Sequence, residues 1–176
     1  PKRSSSPLQG KVQTVLGPID PQRLGICMMH EHLLMDVSYR FLNPAGASER
    51  RIVDESVTLE NLADVRYNWR SCRENLLLAD EPSAIREALK YKAEGGNSIV
   101  ELSSIGLARD PLGLARVARA TGLNIVMGAG YQDASHPPDI SKKSAEQVAE
   151  EIARDITEGV GNTGVRSGII GQVGCS

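Results

Sequence analysis

The chain has 176 residues, a formal net charge of -2, one Phe, one Trp and three Cys. That balance supplies no basic footprint for nucleic acid or anionic lipid and no aromatic stacking surface for bases, and no apolar run approaches the roughly 18 residues of a membrane span. Three widely spaced cysteines (Cys27, Cys72 and Cys175) fit a reducing compartment, hence a cytoplasmic location, better than a disulfide framework.

Residues 1–9 lack the apolar core of a signal peptide and read as a flexible lead-in to one domain over residues 10–176. Lys11 to Leu16 alternates polar and apolar residues, which predicts a short strand. Gly17-Pro18-Ile19-Asp20-Pro21 is turn chemistry, and Gln22 to Gly25 is expected to pair back as a hairpin under the domain. Ile26 to Met29 is expected as a buried strand running into His30-Glu31-His32. On a strand, residues i and i+2 share a face, so His30 and His32 should project side by side with Glu31 turned away. Two adjacent imidazoles suit a divalent metal, the alternative being two polar residues at a strand end. Cys27 is either a soft ligand beside that pair or a small buried strand residue.

Asp36 to Asp54 shows no sustained periodicity and contains Asn43-Pro44-Ala45-Gly46, so a long loop is expected there. Leu59, Leu62, Ala63 and Arg66 suggest one or two helical turns, and Asn68 to Asp80 is ambiguous. Clearer punctuation follows. Glu81-Pro82 opens a helix with Ile85, Ala88, Leu89 and Lys92 on one face, ended by Gly95-Gly96. Ser98 to Leu102 is a strand. Asp110-Pro111 caps a second helix, with Leu114, Val117 and Ala118 apolar, ended by Gly122. Leu123 to Met127 is a strand. Ser144-Ala145-Glu146-Gln147 is a capping box, with Ala145, Val148, Ala149, Ile152 and Ile156 following at helical spacing. Ser167 to Val173 is the last strand.

This rhythm predicts an α/β fold of parallel strands with right-handed helical crossovers. Ile99, Ile125 and Ile170 are taken to face the inside of the curved sheet. Four core strands, ending near His30, Glu101, Met127 and Gln172, make half of a barrel. A complete (β/α)8 barrel needs roughly 200 to 250 residues. With no starting Met and no polar tail after Ser176, the chain reads as part of a longer protein. Its open sheet edges predict self-association.

The stretch Gly25 to Leu33 resembles the amino-terminal signature of the phosphotriesterase family of the amidohydrolase superfamily, roughly Gly-x-Thr-Leu-x-His-Glu-His-Leu. Cys27 and Met28 stand where the family has Thr and Leu. The likeness runs to Cys175 and is greatest to the branch of phosphotriesterase-related proteins. It implies the amino-terminal half of a TIM (β/α)8 barrel and a hydrolase with two divalent metals, zinc expected, per complete site. His30 and His32 match the first-strand ligands. The fourth-strand bridging position, a carboxylate in the family, is held by Gln172 within Gly171-Gln172-Val173-Gly174-Cys175-Ser176, where the related branch has Gly-Glu-Ile-Gly-Cys-Ser. A neutral amide lacks the charge and second oxygen of a bridge. Two further His and the proton-accepting Asp are implied on the fifth, sixth and eighth strands, beyond Ser176.

Three other positions draw attention. Glu101 within its strand needs a partner, for which Arg109 is the candidate; the alternative is contact with the metal region or substrate. Arg109-Asp110 matches a family Gly-Arg-Asp, with Ala108 in place of the Gly. Tyr131 and His136 lie in the loop after the third core strand, on the barrel face that carries active sites, and are candidate contacts for a small-molecule substrate. Family substrates include phosphotriesters, lactones and N-acyl amides, and the branch makes the amide the favoured class. The competing reading is a truncated, non-catalytic remnant or interaction module with a degraded metal site.

Overall fold

A computed structural model describes residues 8–132 and 140–174. His136 and Cys175 lie outside the described residues, as do residues 1–7 of the expected lead-in. Near the start, β1 (Val12–Thr14) and β2 (Gly17–Ile19) form an antiparallel hairpin. The returning strand is therefore Gly17–Ile19, within the segment expected as a turn, and the chain reverses at Val15 and Leu16. Gln22 to Gly25, expected as the returning strand, instead falls in and just after a 3-10 helix, Pro21–Leu24, opened by its proline.

Four parallel strands form the sheet that carries the site: β3 (Cys27–Glu31), β6 (Ser98–Glu101), β7 (Asn124–Ala129) and β8 (Ile169–Ile170), adjacent in that order. The last strand is much shorter than expected, and Gln172 falls just beyond it. Between β3 and β6 the chain makes an excursion with a small sheet of its own. Strands β4 (Met35–Asp36) and β5 (Leu77–Leu78) pair antiparallel, and the short helices α1 (Ala47–Arg50) and α2 (Leu62–Tyr67) lie between them. The expected loop from Asp36 to Asp54 thus contains a helical turn and the end of a strand. Ile52, Val65 and Cys72 form its own small core.

Three crossover helices follow. In α3 (Glu81–Ala93) the Asp80 carboxylate accepts the Ser83 N–H at 3.0 Å. In α4 (Pro111–Thr121) Asp110 does the same for Gly113 at 2.9 Å, and Gly122 closes the helix in the left-handed conformation, φ 68°. In α5 (Ala145–Thr157) Ser144 and Gln147 form the expected reciprocal capping box.

The strands β6 and β7 are packed on both faces. Ile99, Ile125 and Met127 lie in one core with Leu114, Val117 and Ala118 of α4 and Ala84 and Ala88 of α3. Val100, Leu102 and Val126 lie in another with Val12, Leu24 and Cys27. Ile99 and Ile125 thus belong to the helix side of the sheet, not to its inner side. The period of two puts their neighbours Val100 and Val126 on the opposite face. Ile170 is exposed, as are Met29 on β3 and Ile26 just before it. Both strands are sheet edges, which is why the expected burial of Ile26 to Met29 is not found. Leu89, expected on the buried face of α3, is also exposed; Ala84 and Ala88 carry that contact. Val15 N–H donates to the Ile125 carbonyl at 2.9 Å, so the hairpin docks against the amino-terminal half of β7. The strands β7 and β8 approach so closely that a Cβ on Gly128 would overlap the Gly171 carbonyl. Among the described residues no helix is long and apolar enough to cross a membrane.

Candidate functional site

The parallel sheet delivers its candidate residues to one end. His30 is in the last turn of the pleat of β3 and His32 is one residue beyond it. Ser103 and Ser104 follow β6, Tyr131 follows β7 and Gln172 follows β8. Parallel strands all present their carboxyl ends on the same side, where barrel loops carry chemistry.

The two imidazoles are neighbours. Their ring centroids are 5.4 Å apart at an interplanar angle of 70°. The β3–β6 register shifts between Met28 and Glu31. His30 is exposed, whereas His32 is half-buried. Burial, and secondarily the neighbouring His30, pushes the His32 imidazole below its ordinary pKa and so favours the neutral form that a metal needs.

His32 is held from behind. Its Nδ1 lies 3.0 Å from Ser103 Oγ, and Ser103 Oγ lies 2.5 Å from Glu101 Oε1. The same carboxyl accepts the Leu33 N–H at 3.3 Å and the Ser103 N–H at 3.2 Å. Glu101 and Ser103 are both fully buried. Desolvation pushes the Glu101 carboxyl up to about 7; the hydrogen bonds from Ser103 and Leu33 and the charge of Arg109 hold it down against that rise.

Arg109 is not the direct partner of Glu101. Its guanidinium pairs with Asp155 of α5 at 2.7 Å and donates to the Gly128 carbonyl at 3.0 Å. The turn after β6 aims Arg109 across β7 to α5, so Glu101 receives its hydrogen bonds from its own end of the sheet. Tyr131 is 5% exposed, and its hydroxyl contacts Glu151 of α5 and the Lys143 ammonium, the latter at 2.9 Å. Burial raises the Tyr131 pKa, with Glu151 adding to the effect.

Ser103 was not among the residues singled out in the sequence. The available signal was the spacing Glu101-x-Ser103 at a strand end, which mirrors His30-x-His32 on the neighbouring strand. A cleft of about 300 Å³ touches His32, but it is lined otherwise by Leu33, the β5 region and α3, away from the other strand ends.

The donor set fits part of a metal site. Two imidazoles supply two of the about four ligands that zinc takes. Among the described residues, no group of three or more His, Cys, Asp or Glu could hold a metal ion. Gln172, two residues past the end of β8, carries a neutral amide and not a carboxylate.

Comparison with known proteins adds an independent line. Residues 10–176 match the model of the phosphotriesterase family. The chain is 42% identical over 173 residues to N-acetyltaurine hydrolase of Xenopus tropicalis and 41% identical to that of Homo sapiens, in each case with 97% of this chain and 49% of that protein covered. The chain therefore spans about half the length of the curated relatives it matches. A resiniferatoxin-binding protein from Rhodobacter sphaeroides superimposes with a TM-score of 0.88 at 36% identity, covering 92% of this chain and 46% of that one. An organophosphorus hydrolase from Deinococcus radiodurans superimposes at 0.65 and 21% identity, covering 95% and 46%, which shows likeness of fold.

Proposed function

Since this chain belongs to the phosphotriesterase family, we propose that it carries the first-strand half of a metal-dependent hydrolase site acting on N-acyl amides. The observation that carries this reading is the adjacency of His30 and His32, rings 5.4 Å apart, at the carboxyl end of β3. A bound zinc would lower the pKa of a water and polarise the scissile carbonyl. His30 and His32 would hold it, and Gln172 would offer one amide oxygen. The proton-accepting group is expected from residues that the resemblance places beyond Ser176. The favoured substrate class follows from the N-acetyltaurine hydrolases, with lactones and phosphotriesters as the family's other classes.

Two measurements test the reading. The first joins this chain, with Gln172→Glu, to the carboxyl-terminal half of the Xenopus enzyme and assays N-acetyltaurine. Turnover that is lost in His30→Ala and in His32→Ala is expected. Turnover indifferent to both substitutions would contradict the assignment. The second measures zinc uptake by the 176 residues alone. Weak binding, lost when both histidines are replaced, is expected because two ligands do not close a site.

A non-catalytic role is the competing reading, and Gln172 is the observation that favours it. Zinc uptake unaffected by loss of both histidines, together with an inactive chimera, would support it.

A further inference from the structure

Ser103 has a single hydroxyl proton and two neighbours that compete for its oxygen. Glu101 Oε1, at 2.5 Å, also receives the Leu33 N–H, and Glu101 Oε2 receives the Ser103 N–H. At about pH 8, where the carboxyl is ionised, it has no proton of its own to give; the Leu33 and Ser103 N–H groups point into it, and the Ser103 O–H is drawn toward Oε1. The lone pairs of Ser103 Oγ are then left for His32 Nδ1, at 3.0 Å. An oxygen that has committed its proton can only accept, so Nδ1 must be the protonated nitrogen of the neutral ring.

We propose that Glu101 and Ser103 are positioning residues: the relay His32 Nδ1–H to Ser103 O–H to Glu101 Oε1 fixes the His32 tautomer and leaves the Nε2 lone pair free for a ligand. The relay spans two strands. Glu101 and Ser103 sit at the end of β6, His32 sits past the end of β3, and the Leu102 N–H donates to the Glu31 carbonyl at 2.9 Å between them. Full burial of Glu101 and Ser103 leaves no water to compete for these bonds. His30 and His32 therefore differ in kind. His30 is exposed, and His32 is anchored through a second residue to a buried carboxyl. The device would set the direction of the His32 ring before any ligand arrives, which reduces the ordering cost of binding.

The inference rests on the metal-site reading for the identity of the ligand, but its core is the protonation of one ring. The test is nitrogen-15 NMR of the whole chain at about pH 8, with zinc calorimetry beside it. Wild-type His32 should show a protonated Nδ1 and an unprotonated Nε2. Ser103→Ala should move a substantial share of His32 to the Nε2–H tautomer and weaken zinc binding by about 10- to 100-fold, the usual range for loss of an outer partner. Glu101→Gln retains an amide oxygen for the Ser103 O–H and should keep the wild-type tautomer. A wild-type ring protonated on Nε2 overturns the proposal, and so does a Ser103→Ala chain with unchanged spectra and unchanged zinc affinity. A chain with the expected tautomer that takes up no zinc supports the relay and overturns the metal reading alone.

Discussion

Arg109 and Asp155 form an ion pair of 2.7 Å with both side chains nearly out of water, 5% and 13% exposed. The pair fastens the turn after β6 to helix α5, and Arg109 reaches the Gly128 carbonyl on the way. Removing one partner strands the other charge in a dry site, which costs about 3 kcal/mol. Asp155→Ala should lower stability by that order in a denaturant titration. The double variant Arg109→Met/Asp155→Leu should recover most of the loss. A single variant with wild-type stability would contradict the buried pair.

Ala108 adopts φ 54°, the one left-handed non-glycine among the described residues. Its Cβ is strained there, and the corresponding family position is Gly. Ala108→Gly should raise the melting temperature modestly, with a gain of about 0.5 to 1 kcal/mol after the greater freedom of unfolded Gly is offset. A drop in stability would show that the Ala108 backbone is relaxed.

The Glu101 carboxyl carries a pH signature. Burial raises it from 4.5 to about 7. A raised carboxyl holds its proton in the folded chain over a window where the unfolded chain has lost its own. Its contribution to stability is therefore fully present below about 4.5 and is lost as the pH rises through about 7. The span corresponds to about 3 kcal/mol. Denaturant midpoints for wild type and Glu101→Gln between these limits should differ in slope, with the Gln variant flatter. Equal slopes would assign the dependence to another group.

Gln172→Glu restores a carboxylate at the position the resemblance assigns to a metal bridge. In the chimera with a complete ligand set, it should raise bound zinc toward two per chain by elemental analysis. Metal content equal to that of the Gln172 form would place the residue away from the bridge.

Ile26, Met29 and Ile170 are 63%, 64% and 60% exposed at the two edge strands of the sheet. Apolar side chains beside unpaired strand edges favour association. Light scattering on the 176 residues alone should report species larger than a monomer. Replacing Met29 and Ile170 with Lys should shift the population toward monomer. A clean wild-type monomer would defeat this expectation.

Much of this fold was legible in the sequence because its signals are local. Asp80, Asp110 and the Ser144–Gln147 box announce helix starts through bonds spanning three residues. The strand–helix rhythm then forces parallel pairing. The His30-x-His32 spacing places two rings together through the pleat alone, and together with the flanking residues it carries the family likeness. The tertiary structure decided the partners. Arg109 reaches Asp155, 46 residues away, and His32 reaches Ser103, 71 residues away, through the relative placement of separate elements. The faces of Ile99 and Ile125 were settled the same way, since alternation states which residues share a side but not which side meets the helices. Local chemistry chooses an element, and only the assembled sheet, which buries Glu101 and Ser103 completely, chooses what that carboxyl will hold.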